Sequence, residues 1–277
     1  MYMWSQYVRF RNFKISILSI SLLLLGIFSG LYWLFWDIIS YVVVVNDLLL
    51  GILIYPIKIL ILAMMSLFLY RKWFRQEAIY ITDAYFCFGT FFGIWVFGKI
   101  FDVLLNLLWL SGTYDNLRLF LMKIRYTVIV INILPILYIG LEALLVFIEL
   151  RSKTKESKSE ANKIRYSFMG GYVFILLILI WFANNVNLLV NLLPIATFII
   201  YLLLMIMFFF MYRNKRLSQA NSLIIGIAFL LLILSNIIRA IFTASYESWS
   251  IILSEVIDTI IIGVLFTGFI TKPKYAK

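Results

Sequence analysis

Apolar runs of about twenty residues recur along this chain from one end to the other, and they leave very few folds open. The first runs from Ile15 to Trp36, and the last ends near Ile270. A helix needs about 20 apolar residues to cross the hydrocarbon of a bilayer. Inside that hydrocarbon no water can receive backbone N–H and C=O groups, so a span must be a helix or part of a closed barrel. Barrel strands would read as segments of about ten residues with alternating polarity, and none occur. The balance of 64% hydrophobic to 13% charged residues gives about half the charge of a soluble domain. The chain therefore reads as all-α: a polytopic transmembrane helix bundle of about eight helices, forming a single integral membrane domain over residues 1–277.

Hydropathy predicts helices over 15–36, 40–70, 78–98, 126–150, 166–183, 186–212, 221–244 and 249–270. The third run leaves two options open. It either continues to Leu110 or breaks near Gly98 into an interfacial piece, "KIFDVLLNLLWL". The first run is too long for a signal-peptide core and is followed by no small-residue cleavage site, so it reads as a retained helix. The polar loop "RSKTKESKSEANKIR", 151–165, separates two halves, 1–150 and 166–277. Two inner helix ends are alike, "FLYRKWFRQEA" (68–78) and "FMYRNKRLSQA" (210–220), and both helices hold an interior proline, Pro56 and Pro194. A tandem duplication and the ordinary aromatic-then-basic pattern of inner helix ends both account for this.

Basic residues orient the bundle. With the N-terminus inside, the inner segments hold Arg9, Arg11 and Lys14, then Arg71, Lys72 and Arg75. They also hold the six basic residues of 151–165, Arg213, Lys215 and Arg216, and Lys272, Lys274 and Lys277. That is 18 of the 24 basic residues, whereas the outer segments hold Arg118, Lys123 and Arg125. Cytoplasmic loops carry such an excess, so the expectation is a multi-pass protein of the cell membrane with both termini cytoplasmic. The net charge of +11 is then a matter of orientation and of anionic lipid, and no nucleic-acid partner is expected. The lone cysteine, Cys87, forms no intrachain disulfide and no multi-cysteine metal site. The chain has no histidine, which removes histidine-based catalysis, ligation and proton switching. Walker loops, the "GxSxG" elbow and "HExxH" are absent too. No catalytic residue, metal site or cofactor is expected, and an enzyme is the least supported reading.

The informative residues are the charges within helices. An intramembrane charge costs at least about 2.5–3.5 kcal/mol, so such groups face the bundle interior and find partners. Asp47, Lys58, Glu142, Arg239, Glu255 and Asp258 interrupt apolar runs, with Lys99 and Asp102 nearer an edge. In the hairpin of the last two helices, Arg239 and Glu255 lie equally far from the turn near Glu247, and Asn236 lies level with Asp258. The expected contacts are Arg239 with Glu255, extended by Asn236 and Asp258; a planar guanidinium suits a carboxylate. By the same reasoning Asp47 meets Lys99 or Asp102 across the preceding hairpin. Lys58 and Glu142 are deeper and pair if their helices touch. These nine residues either line an outward-opening polar cavity or form separate ion pairs. The spacings "GIFSG" (Gly26, Gly30) and "GTFFG" (Gly89, Gly93) permit close helix contact within the bundle or in a homo-oligomer.

Residues 118–216 carry a further pattern: "LRLFLMKIRYTVIVINILPILYIGLEALLVF", "NKIRYSFMGGYVFILLILIWF" and "LLPIATFIIYLLLMIMFFFMYRNKR". The order of basic-aromatic entry, proline, "KIRY…G" re-entry and proline-containing helix resembles the seven-helix membrane sensor region ahead of some microbial histidine kinases and cyclases. The resemblance implies a receptor-like bundle whose inner ends relay a signal. The chain departs from it in two helices after residue 216 and in carrying no kinase or cyclase output domain, so a cytoplasmic or membrane signalling partner is implied. Two readings follow: a sensor- or receptor-like bundle without its own output domain, or a transporter or permease subunit with a polar intramembrane site.

Overall fold

The structure, a computed structural model, describes residues 49–76, 79–111, 115–152, 158–215, 217–243 and 248–276, with scattered helical positions between Leu22 and Ser40. Among the described residues there is no strand. Seven long helices follow one another: α1 (Leu49–Trp73), α2 (Ala84–Ser111), α3 (Asp115–Ser152), α4 (Lys158–Trp181), α5 (Val186–Arg213), α6 (Ser222–Thr243) and α7 (Ser248–Ile270). Five described stretches are long and apolar enough to cross a membrane: Ile54–Trp73, Ala84–Leu105, Asn116–Leu145, Glu160–Trp181 and Ile252–Ile270.

Three boundaries differ from the hydropathy reading by eight residues or more. One is the start of α4 at Lys158, eight residues before the expected 166 and inside the stretch read as the polar loop 151–165. α2 runs unbroken through Gly98 to Ser111, so the "KIFDVLLNLLWL" segment continues the helix. α3 begins at Asp115, eleven residues before the expected start. At about 1.5 Å per residue its 38 residues extend well beyond a bilayer's hydrocarbon. The early start has a physical reason. Arg118, Lys123 and Arg125 make 115–125 look polar, but Arg118 and Arg125 are seven residues apart, two turns of helix, and apart from Lys123 the residues between them are apolar.

Six helices close into a ring. α1 packs on α2, α2 on α3, α3 on α5, α5 on α6 and α6 on α7, and α7 returns to α1. α4 sits outside the ring against α3, and most of its large apolar side chains, such as Phe174 and Ile175, are exposed. The ends of α1, α5 and α7 near Arg71, Arg213 and Lys272 fall at one pole, called here the basic pole.

The half of the ring nearest that pole is filled by apolar side chains. Leu62, Leu69, Phe88, Phe92, Phe208, Phe229, Ile262, Leu265 and Phe269 are fully buried in one cluster. Phe88 and Phe269 stack with centroids 3.7 Å apart, and Phe92 meets Phe269 edge-on at 5.7 Å. Stacked and edge-on rings are the favoured aromatic geometries.

Small residues allow this closeness. Ser66 on α1 donates to the Gly89 carbonyl at 2.8 Å, and the Tyr70 ring lies 3.2 Å from where a Cβ on Gly89 would be. Gly93 meets Ser66 at 3.2 Å in the same way, so the "GTFFG" spacing serves the α1–α2 contact inside the bundle. Nothing lies within 4 Å of the Cβ positions of Gly26 and Gly30. At the α6–α7 contact the backbone of Gly268 accepts a hydrogen bond from Asn221 N–H at 2.8 Å. Asn185 caps α5 by accepting from Leu188 N–H at 2.7 Å.

Candidate functional site

Three residues on three helices sit at one depth. Lys58 is fifteen residues before the end of α1 at Trp73, Lys99 fifteen after the start of α2 at Ala84, and Glu255 fifteen before the end of α7 at Ile270. At the helical rise each lies about 22 Å from the basic pole. The ring makes α1 the neighbour of both α2 and α7, so these side chains converge.

Glu255 stands at the centre. Its Oε2 accepts from Lys58 Nζ at 2.5 Å and from Lys99 Nζ at 3.2 Å, and its Oε1 accepts from Lys99 at 3.1 Å. Each lysine touches a second acid. Lys58 lies 3.4 Å from Asp258 Oδ2, and Lys99 lies 3.0 Å from Asp102 Oδ2, three residues along its own helix. Asp102 also receives the Arg125 guanidinium from α3 in the two-pronged manner, through Nε to Oδ1 and through Nη2 to Oδ2 at 3.0 Å. Ser235 on α6 donates to Asp258 Oδ1 at 2.5 Å. Among the described residues, three cations thus meet three carboxylates in one connected layer contributed by α1, α2, α3, α6 and α7.

The layer is out of solvent: Lys58, Lys99 and Glu255 are each 1–2% exposed. Tyr55, also buried, places its ring 6.0 Å from Lys99 Nζ. Toward the basic pole the layer is closed by Leu62, Phe88, Phe92, Leu265 and Phe269. Burying an ion without partners costs several kcal/mol, so connected pairing is what lets these charges remain in an apolar interior. The arrangement can exchange protons or ionic partners among its members. Among the described residues no cluster of histidine, cysteine and acidic groups suits a metal ion.

The sequence-based candidates separate into three groups. Lys58, Lys99, Asp102, Glu255 and Asp258 are brought together. Glu142 is not. It lies on α3 seventeen residues beyond Arg125, toward the basic pole, where its electrostatic neighbours include Cys87 and Tyr138. The expected Lys58–Glu142 contact is therefore replaced by Lys58 with Glu255 and Asp258, because the ring sets α1 against α7. Asn236 is half-buried, and the contact to Asp258 comes from its neighbour Ser235; one residue turns the helix by about 100°. Asp47 and the side chain of Arg239 lie outside the described residues. Among the described residues the pairs are joined into one connected network. Arg125 and Ser235 are the residues the sequence reading missed. The signal for Arg125 was its spacing of seven from Arg118, two turns of helix. The signal for Ser235 was its burial-prone place at the small-polar step "LSNII".

No family model, curated protein or solved structure matches the chain. The five apolar spans mark it as an integral membrane protein of the helical class, and its function has to be argued from the layer itself.

Proposed function

We propose that the chain is a sensor- or receptor-like membrane bundle that passes a change in helix arrangement to a separate partner at its basic pole. The observation that carries this reading is the buried ion layer, in which Glu255 ties α7 to α1 and α2 at once. A buried charged network has few acceptable arrangements, since every member left unpaired is costly. An interior held this way changes between discrete states rather than by degrees. The resemblance of 118–216 to membrane sensor regions supports the same reading. So does the run of basic residues at one pole, which in a cytoplasmic orientation would face soluble partners and anionic headgroups.

Crosslinking in native membranes tests this. Mild crosslinking followed by purification should recover a partner from the wild type, and Glu255→Gln should change its yield several-fold. Recovery of no partner, or equal recovery from both, overturns the reading.

A second reading, a transporter or permease subunit, is favoured by one feature: the ring of six helices surrounds the charges. Flux in reconstituted vesicles that Glu255→Gln abolishes would replace the sensor reading with this one.

A further inference from the structure

We propose that the Glu255 carboxylate occupies the seat of a small monoanionic ligand, and that the chain binds a small carboxylate between Lys58 and Lys99 together with one proton. The inference deepens the receptor reading above by naming its ligand class, and it rests on the ion layer being able to open.

Geometry comes first. A single carboxylate bridges two ammonium groups on two helices, with contacts at 2.5, 3.1 and 3.2 Å. That carboxylate is carried by a third helix, α7, whereas the lysines belong to α1 and α2, which are tightly packed on each other. The two lysines also have other anchors: Lys58 has Asp258, and Lys99 has Asp102, itself held by Arg125. When Glu255 withdraws, its partners keep a carboxylate each, and the cationic seat survives in shape. A carboxylate ion of a ligand would satisfy the same donors in the same plane.

Charge balance then sets the stoichiometry. Glu255 cannot leave the lysines as a bare anion in an apolar interior, where an unpaired charge is very costly. It leaves as a neutral acid, taking one proton from bulk water. One monoanion and one proton enter, the Glu255–lysine hydrogen bonds break, ligand–lysine bonds form, and the charge of the layer is unchanged. A dianion would leave it one charge too negative.

Among the described residues, the titratable and charged groups around Glu255 include Lys58 on α1, Lys99 and Asp102 on α2, and Asp258 on its own helix, with Tyr55 beside Lys99 and Arg125 reaching in through Asp102. α6 brings Ser235 to Asp258. The apolar plug around Phe88 and Phe269 closes the basic side.

The test uses the full chain in lipid nanodiscs with acetate and benzoate as probes, and phosphate and choline as controls. Thermal stability is followed against probe concentration from pH 5 to pH 8, and proton uptake is read with an indicator dye in weak buffer. Acetate or benzoate should give a saturable rise in melting temperature, with close to one proton taken up per site. Affinity should weaken up to tenfold per pH unit as pH rises, the limit for one linked proton. Glu255→Gln, a stand-in for the neutral acid, should bind the probes at least as tightly with proton uptake abolished. Lys99→Met should lose binding at least tenfold. The wild-type proton count stands even where a variant fails to fold. No saturable response to either probe in the wild type and in Glu255→Gln overturns the inference, as does binding without proton uptake by the wild type. Either result leaves the crosslinking test of the receptor reading unaffected.

Discussion

Two layers of the same ring are built on opposite terms. Near the basic pole the interior is aromatic and aliphatic, with Phe88 stacked on Phe269 and Leu62, Ile262 and Leu265 filling the space between. About 22 Å from that pole, by helical rise, the interior is ionic, with Glu255 holding Lys58 and Lys99. The first layer gains from many weak contacts, none of them directional. In hydrocarbon, where lipid tails compete equally for apolar surface, that gain comes from close packing. The second layer gains little net energy from its charges, since desolvation offsets most of the attraction. What it supplies is selectivity. The placement of α1, α2 and α7 brings Lys58 and Lys99 together onto Glu255.

This contrast can be broken or sharpened by substitution, with unfolding in detergent as the measurement. The largest effect is expected at Glu255. Glu255→Ala leaves Lys58 and Lys99 with one carboxylate each, Asp258 and Asp102, beside a hole and should cost about 3–5 kcal/mol, the usual result of removing one member of a buried ion pair. Phe269→Ala opens a cavity against two rings and should cost about 3 kcal/mol, at the low end for buried aromatics. It should leave the ionic layer's probe response intact, which separates the two layers. Gly268→Ala comes next. Its added Cβ would lie 2.8 Å from Ile225 Cγ1 and 3.0 Å from the Ile225 backbone nitrogen, and backbone cannot move aside cheaply. A loss of about 1–3 kcal/mol is expected from such overpacking. Ser235→Ala removes one donor from Asp258 and should cost about 1 kcal/mol. Gly170→Ala, with nothing within 4 Å of the new methyl, should change stability by less than about 0.5 kcal/mol. A larger loss there would mean that the outer face of α4 is covered by something in the membrane.

The sequence was legible where contacts are local in the chain and opaque where they depend on closure. Apolar length located the helices from α1 to α7, because hydrocarbon thickness and helical rise leave little freedom. Equal depth within a hairpin correctly placed α6 residues opposite Asp258, missing only by one position, Asn236 for Ser235. The same rule could not find Lys58 with Glu255, which are 197 residues apart. That contact exists because the last helix returns to α1, and nothing in local periodicity encodes the return. Lys58 with Glu142 depended on their helices touching, and the ring sets α1 against α2 and α7. Arg125 was lost for another reason. It lies in a stretch with enough charge to resemble a loop, yet Asp102 satisfies its guanidinium across the α2–α3 hairpin. Lys99 and Asp102, three residues apart and so on one helix face, are joined directly at 3.0 Å.

The pairing of Lys58 with Glu255 is tested most directly by a double-mutant cycle. Lys58→Met and Glu255→Gln, alone and combined, should show a coupling of about 1–3 kcal/mol, the range for groups in one ionic network. The matching cycle of Lys58→Met with Glu142→Gln should be additive to within about 0.5 kcal/mol. Coupling to Glu142 and additivity with Glu255 would contradict the ring and everything built on it.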